Sequence, residues 1–355
     1  ALSITSGTMC ESVPFCLYPT GTPKANLLPM AARIRSVVTV PVVVAGRIRT
    51  PETARAALAS KQADLIGLGR PFLSDPDWVR KTAVGDEAAI LLCAACHQGC
   101  LAELRKGHGT GCVFNPLAGN ESEVEITRTT KARHVVVVGG GPGGLEAARV
   151  AAERGHRVTL YEREDHLGGQ LRLAALPPHK EGFRDVIRNM ELMARRAGVD
   201  IRTATYVTPE LINTIQPDAV VLATGGIPLL VDLPGLDRAV WALSSDVLEG
   251  VTEVETASAL VIGGGLVGLE TADFLASQGK HITLVEMLEE VGSDMDPLAK
   301  AMITKRLTQH GTKIHVNTKV VGITEDTVFT QQGDQQLTLP YETVVLAVGV
   351  RANKE

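Results

Sequence analysis

Aromatic residues make up only 3% of the 355 residues. The sequence also lacks any long apolar run. The longest nearly apolar stretch, 259–269, is 11 residues long and broken by glycines, whereas a membrane-spanning helix needs about 20. No surplus of basic charge is present: 35 Lys+Arg stand against 40 Asp+Glu, with both signs scattered and a net charge of −5. That balance excludes a nucleic-acid footprint or an anionic membrane surface as partner. No secretory leader pattern opens the chain, so a soluble, cytoplasmic protein is expected. No cysteine follows Cys112, which leaves the last two thirds of the chain without thiol–disulfide chemistry.

Glycine, by contrast, is abundant at 35 residues. Much glycine with few aromatics suits an α/β fold with tight strand-to-helix turns, where small residues let backbone approach a cofactor. Residues 1–90 alternate strand and helix. Leu2–Thr5, Pro41–Ala45 and Leu65–Leu68 read as buried parallel strands. Helices are expected from Pro51 to about Ser60, with Thr50 as N-cap and Pro51 at the first position, and from Asp75 to about Val84. Three strands make only part of a sheet, and the chain reads as a piece of a longer polypeptide. A polar, glycine-containing stretch, 91–131, breaks the rhythm. Two further βαβ regions follow, divided as 132–250 and 251–355.

Those two regions repeat one plan. Gly139, Gly141 and Gly144 open the first, and Gly263, Gly265 and Gly268 open the second. An acid follows 23 residues after the first glycine in each, Glu162 and Glu286; a glycine follows after 29, Gly168 and Gly292; another follows after 86, Gly225 and Gly349. Each glycine triplet lies between an apolar strand (Val135–Val138; Ala259–Ile262) and a helix (Leu145 to about Arg154; Leu269 to about Ser277). The first glycine makes the tight turn, the second admits a pyrophosphate, and the third permits close helix–strand packing. Phosphates would sit on the helix N-terminus, and the acid would accept from ribose hydroxyls. Pro142, Gly143, Arg163, Gly169, Gln170, Ala223, Thr224 and Leu266 fall within the same cofactor-lining segments. No arginine stands beside Glu286 to hold a 2′-phosphate, which favours NADH over NADPH.

Four of the six cysteines form Cys93-x2-Cys96-x3-Cys100-x11-Cys112. Four thiolates suit a [4Fe–4S] cluster or zinc by ligand count. Zinc sites more often carry two Cys-x2-Cys hooks, and only one is present. Next to flavin and nicotinamide sites, an electron carrier is also the more useful group. His97, inside the loop, is expected at the surface or hydrogen-bonded, not as a ligand. Cys10 and Cys16 read as small apolar residues.

Two strand ends in the first segment carry Gly-Arg, at Gly46-Arg47 and Gly69-Arg70. Glycine N–H groups with an arginine fork suit a phosphate monoester such as that of FMN, and (β/α)8 barrels build such sites after their last two strands. The order Ala-Gly-Arg-Ile, Gly-Leu-Gly-Arg-Pro-Phe-Leu-Ser-Asp-Pro, the four cysteines with Val-Phe-Asn-Pro, then Gly-Gly-Gly-Pro-Gly-Gly closely resembles the 2,4-dienoyl-CoA reductase, enoate reductase and trimethylamine dehydrogenase family. Leu-Gly-Gly-Gln-Leu at 167–171 and Ala-Thr-Gly at 223–225 resemble the FAD half of the two-dinucleotide flavoproteins.

The resemblance implies the C-terminal part of an FMN-binding barrel (1–90), a [4Fe–4S] segment (91–131), an FAD-binding Rossmann-like domain (132–250) and an NAD(P)H-binding one (251–355). It also implies a relay from NADH to FAD, to the cluster, to FMN, and so to an activated alkene such as an enoyl-CoA or 2-enoate. The partner would be a small molecule, with a CoA thioester among the candidates; a homo-oligomer stays open. The resemblance places the proton-donating acids mainly upstream of Ala1. The Met9–Glu11 loop, where some relatives carry a substrate-facing histidine, has none, so either the donor lies elsewhere or the substrate class differs from that of the dienoyl-CoA members. An amine dehydrogenase or demethylase of the same family, and a zinc-stabilised nucleotide-binding scaffold, remain as alternatives. A disulfide reductase is rejected, since it requires a cysteine pair inside the dinucleotide folds.

Overall fold

The computed structural model describes residues 1–5 and 17–354; Cys10, Cys16 and the Met9–Glu11 loop lie outside them. The chain divides into two compact units, 1–172 with 182–223, and 173–181 with 224–355. Among the described residues, no helix is long and apolar enough to cross a membrane.

The first unit holds two parallel sheets. The smaller has the strands Leu2–Ile4, Val42–Val44 and Leu65–Ile66, with Leu2 opposite Val42 and Val43 opposite Leu65. Ile4, Val42, Val44, Ile48 and Trp78 bury themselves together on it. The helix Pro51–Ala59 starts as expected, with the Thr50 hydroxyl accepting from the Thr53 N–H at 3.3 Å. The helix expected from Asp75 instead starts at Trp78. Asp75 is buried and serves as an acceptor for the Asp77 and Leu91 N–H groups and the Lys81 ammonium, so its carboxylate ties the loop down before the helix begins.

The larger sheet runs Asp200–Arg202, Arg157–Tyr161, His134–Val138, Ala219–Leu222, all parallel. Its central strand is apolar on both faces, as coverage by helices requires. The helix Pro142–Glu153 packs against it, beginning three residues before the sequence suggests. Proline at the first helical position keeps its fixed φ and loses no hydrogen bond there.

The second unit repeats this plan with five parallel strands in the order Lys313–His315, His281–Val285, Ser258–Ile262, Thr343–Leu346, Trp241–Leu243. The last of these precedes residue 250, so the sheet of the second fold recruits residues ahead of the division drawn from sequence. An antiparallel sheet of Lys319–Ile323, Thr327–Gln332 and Gln335–Pro340 is inserted. The helix Leu266–Ser277 is the apolar axis of the unit, with Leu269, Ala272 and Leu275 fully buried.

In both folds the helix meets the strand end at a distance only glycine allows. A Cβ on Gly144 would lie 1.9 Å from the Gly139 carbonyl oxygen, and one on Gly268 would lie 1.8 Å from that of Gly263. Gly144→Ala should therefore destabilise the protein by about 3 kcal/mol through forced separation of helix and strand. Gly143→Ala, with open space around its missing Cβ, should be neutral or slightly stabilising. Urea unfolding of both variants checks this, and equal midpoints would contradict the close-packing account.

Candidate functional site

Each glycine triplet is clasped by its own acid. In the first fold the Glu162 carboxylate accepts from the Gly140 N–H at 2.6 Å and the Glu164 N–H at 3.0 Å. In the second, Glu286 accepts from the Gly264 N–H at 2.6 Å and the Leu288 N–H at 2.8 Å. Both carboxylates are buried. Expected as ribose acceptors only, they are also structural: each fixes the strand end to the fingerprint turn, and each oxygen keeps a further lone pair for a hydroxyl. A second tie repeats as well, from the Gly168 N–H to the Gly140 carbonyl at 2.9 Å and from the Gly292 N–H to the Gly264 carbonyl at 2.7 Å.

These ties bring the sequence-predicted residues together. In the first fold Gly169 lies over Gly141, its missing Cβ only 3.1 Å from the Gly141 Cα. Gln170, exposed, starts the short helix Gln170–Ala174 beside the fingerprint. Ala223 packs against Gly144. Arg163 is exposed and pairs with Glu164 at 3.0 Å. In the second unit the Gly225 carbonyl accepts from the Asn353 N–H and the Gly349 carbonyl from the Leu229 N–H, each at 2.9 Å. The Thr224 hydroxyl donates to the Asn353 carbonyl at 3.0 Å. Gly225 and Gly349 thus flank an antiparallel pair, Gly226–Pro228 with Val350–Ala352.

Three buried groups of the helix Leu266–Ser277 escaped the sequence reading. Asp273 is held by Arg306 through a bidentate pair, 2.6 Å at its shortest. Glu270 pairs with Lys180, and burial raises its pKa against the pull of that ammonium. Thr271 is fully buried and returns its hydroxyl to the Val267 carbonyl at 2.8 Å. The signal for the charged pairs was present as polar residues on an otherwise apolar helix.

At the ends of the first sheet, the missing Cβ of Gly46 faces Tyr18 at 3.0 Å and the Asn26 amide oxygen at 3.3 Å. Arg47 donates to the Thr22 carbonyl, and Arg70 Nη2 donates to the Tyr18 carbonyl at 3.1 Å. Gly69 sets the start of the helix Arg70–Ser74. Arg70 Nη1, Thr22 Oγ1 and Asn26 Oδ1 are buried without a hydrogen-bond partner among the described residues. Buried polar atoms are normally paired, so this cradle of an arginine fork, a hydroxyl and a glycine turn fits a phosphate monoester.

The four cysteines are brought to one neighbourhood, each half-buried. Gly99 makes this possible and was missed from sequence. A side chain there would meet the Val113 nitrogen at 2.5 Å, and its carbonyl accepts from the Gly111 N–H at 2.9 Å. The returning segment that carries Cys112 therefore runs against Gly99, beside Cys100. Burial, with a smaller push from the other three cysteines, raises the Cys96 thiol to about 12. Burial likewise raises Cys100 and Cys112. Every sulfur nevertheless receives a backbone N–H: Cys93 from Ala95, Cys96 from Gln98, Cys100 from Leu101, Cys112 from Phe114 and Asn115. N–H donors favour charge on sulfur while burial opposes it, and a coordinated metal centre would settle the contest for the thiolate. Among the described residues no group of three or more His, Cys, Asp or Glu is arranged to hold a metal ion, so the fit rests on the donor set. His97 is buried, 1% exposed, so of the two placements expected for it the surface one is excluded and the hydrogen-bonded one remains.

Arg49 was also missed. Its side chain is 9% exposed and pairs with Asp185 at 2.8 Å, and Gly182 leaves room for its guanidinium. Phe114 meets Phe183 edge to face at 5.6 Å, and Arg196 holds Asp86 through two bonds of 2.7 and 2.9 Å. These contacts fasten the cysteine segment and the small sheet to the helix Gly182–Arg196.

Removing the Lys180 ammonium should strand a buried carboxylate. Lys180→Met is expected to lose about 3 kcal/mol at neutral pH, and Lys180→Arg much less. Burial raises the folded pKa of Glu270, so the folded state binds more protons there than the unfolded. The loss must therefore shrink as pH falls towards the ordinary carboxylate range and grow as it rises. A pH-independent loss in chemical denaturation would refute the pairing.

Residues 133–355 match the pyridine nucleotide-disulphide oxidoreductase family, and residues 22–88 match the NADH:flavin oxidoreductase / NADH oxidase family. A bilirubin reductase of Mediterraneibacter gnavus is 34% identical over 98% of this chain and 54% of its own length. An NADH oxidase of Thermoanaerobacter brockii is 36% identical over 97% of this chain and 54% of its own, and a cinnamate reductase of Clostridium sporogenes is 32% identical over 94% and 50%. Among solved structures, 2-naphthoyl-CoA reductase in complex with 2-naphthoyl-CoA superposes with a TM-score of 0.94 at 30% identity, covering 99% of this chain and 53% of that one. The chain thus spans about half the length of the curated relatives it matches. Two glycine fingerprints with their acid clasps, following a piece of parallel sheet with strand-end arginines, agree with both matches. The chain belongs to the pyridine nucleotide-disulphide oxidoreductase family, within its enoate- and dienoyl-reductase-like members that join flavin- and nicotinamide-binding folds to an NADH:flavin oxidoreductase barrel region.

Proposed function

We propose that this chain receives electrons from NADH for an oxidoreductase that reduces an activated C=C bond, with an enoyl-CoA or 2-enoate as substrate class. The observation that carries the reading is the convergence, within one compact unit, of the arginine cradle, the four-thiol loop and the first dinucleotide fold. The cinnamate reductase and the naphthoyl-CoA complex among the relatives support the substrate class.

In this reading Gly139, Gly141 and Gly144 with Glu162 hold FAD, and Gly263, Gly265 and Gly268 with Glu286 hold NADH. The strand-end glycines Gly46 and Gly69 and the forks of Arg47 and Arg70 hold the FMN phosphate. Cys93, Cys96, Cys100 and Cys112 hold a [4Fe–4S] cluster. When bound, these groups supply two-electron uptake, one-electron transfer and hydride delivery to the alkene. The chain's own part is to bind and hold them apart. The acid clasps keep each fingerprint turn in place, the N–H donors stabilise charge on the sulfurs, and the Arg70 cation favours charge on Cys100 while its Nη1, buried without a partner among the described residues, is left for the phosphate.

An amine dehydrogenase of the same family would send electrons the other way. The intact second fingerprint with its buried Glu286 favours NADH oxidation instead. In the full-length protein, Cys96→Ala should leave FAD reduction by NADH intact and abolish FMN reduction, read by stopped-flow absorbance; unchanged FMN reduction would sink the relay. Glu286→Ala should weaken NADH binding by about 1–3 kcal/mol, the scale of a lost hydrogen bond to a charged group. An unaltered affinity in titration would refute the assignment of the nicotinamide site.

A further inference from the structure

The two fingerprints differ at one place where a phosphate would dock. In the second fold, the first N–H of the helix Leu266–Ser277, that of Leu266, donates to both oxygens of Asp294, at 2.9 and 3.2 Å. The open face of Gly265, which the motif reserves for a pyrophosphate, has that carboxylate as its nearest neighbour, at 3.5 and 3.7 Å from a built Cβ. The loop that carries Asp294 is held over the turn by the Gly292 N–H on the Gly264 carbonyl. At the matching places of the first fold stand Gln170 for Asp294 and Pro142 for Leu266. There the loop brings no charge, and the first helical residue has no N–H to cap.

A helix N-terminus stabilises one anion through its free N–H groups and its dipole. In the second fold an anion belonging to the protein already takes that place. We propose that Asp294 is a built-in competitor for the nucleotide pyrophosphate, a specificity-determining residue that makes the second nucleotide exchangeable while the first is retained. The proposal rests on the reading that the second fold binds NADH. An incoming dinucleotide must move the carboxylate off Leu266, and on departure Asp294 recaps the helix. The site is never left with a bare N-terminus, and a tight complex with spent NAD+ is avoided. Asp294 is exposed, so it has room to swing aside. Neighbouring Asp296 performs a separate task, capping the helix Pro297–Gln309 through the Leu298 and Ala299 N–H groups.

The test uses the full-length holoprotein and isothermal titration with NAD+, ADP and adenosine, for wild type, Asp294→Asn and Asp294→Ser. Serine keeps a neutral acceptor for the Leu266 N–H, so a loss of fold by the first variant would not silence the experiment. Removal of the charge should tighten NAD+ and ADP about fivefold, the range of a single charge at a helix terminus. Adenosine, which lacks phosphate, should bind unchanged, and FAD content should stay as in the wild type. Wild-type binding of NAD+ that neither variant improves, or an equal gain for adenosine, overturns the competitor role alone. No binding of NAD+ or ADP by any of the three proteins overturns it together with the NADH reading, and leaves the amine dehydrogenase direction.

Discussion

The contact on which both nucleotide folds depend is that of a helix with the end of its own strand, at Gly144 on Gly139 and at Gly268 on Gly263. Because no side chain intervenes, the helix N-terminus arrives at the carboxyl end of the sheet. The acid at the end of the next strand then has one place to go. Glu162 and Glu286 each accept the N–H of the residue between the first two glycines, which fixes the turn that a pyrophosphate needs. Close packing and the buried clasp are one device used twice.

The copies differ in what fastens them. The first is fastened to the cysteine loop and small sheet by Arg49–Asp185, Arg196–Asp86 and the Phe114–Phe183 pair. These contacts join the first fold, the cysteine loop and the small sheet within one compact unit. The second has its own buried charge pairs on the central helix, Asp273–Arg306 and Glu270–Lys180, and a carboxylate at the helix start. Buried pairs of this kind contribute little net stability, but removing one partner strands the other's charge, so they hold the central helix in its place.

Much of this was legible in the sequence. The βαβ rhythm, the two fingerprints, the paired offsets of 23, 29 and 86 residues and the four-cysteine spacing all report local chemistry that the chain states in order. Helix starts were read three residues late at Pro142 and Leu266, because Pro-Gly-Gly and Leu-Val-Gly look like loop in sequence. Gly99, Arg49, Lys180 and Asp294 were not legible. Each acts on a partner distant in sequence or on a turn that only the fold creates, so no periodicity marks them. For His97 the sequence left surface and hydrogen-bonded placements open, because its burial depends on the path of the whole loop.

The most direct measurement of the central claim is the composition of the full-length protein purified without oxygen. Iron, acid-labile sulfide, zinc, FMN and FAD are counted per chain. The account predicts about four irons with matching sulfide, the content of one cluster held by four thiolates, together with one FMN and one FAD. Zinc with no iron and no FMN would contradict it, leaving the four cysteines a structural clasp and the arginine cradle without its phosphate.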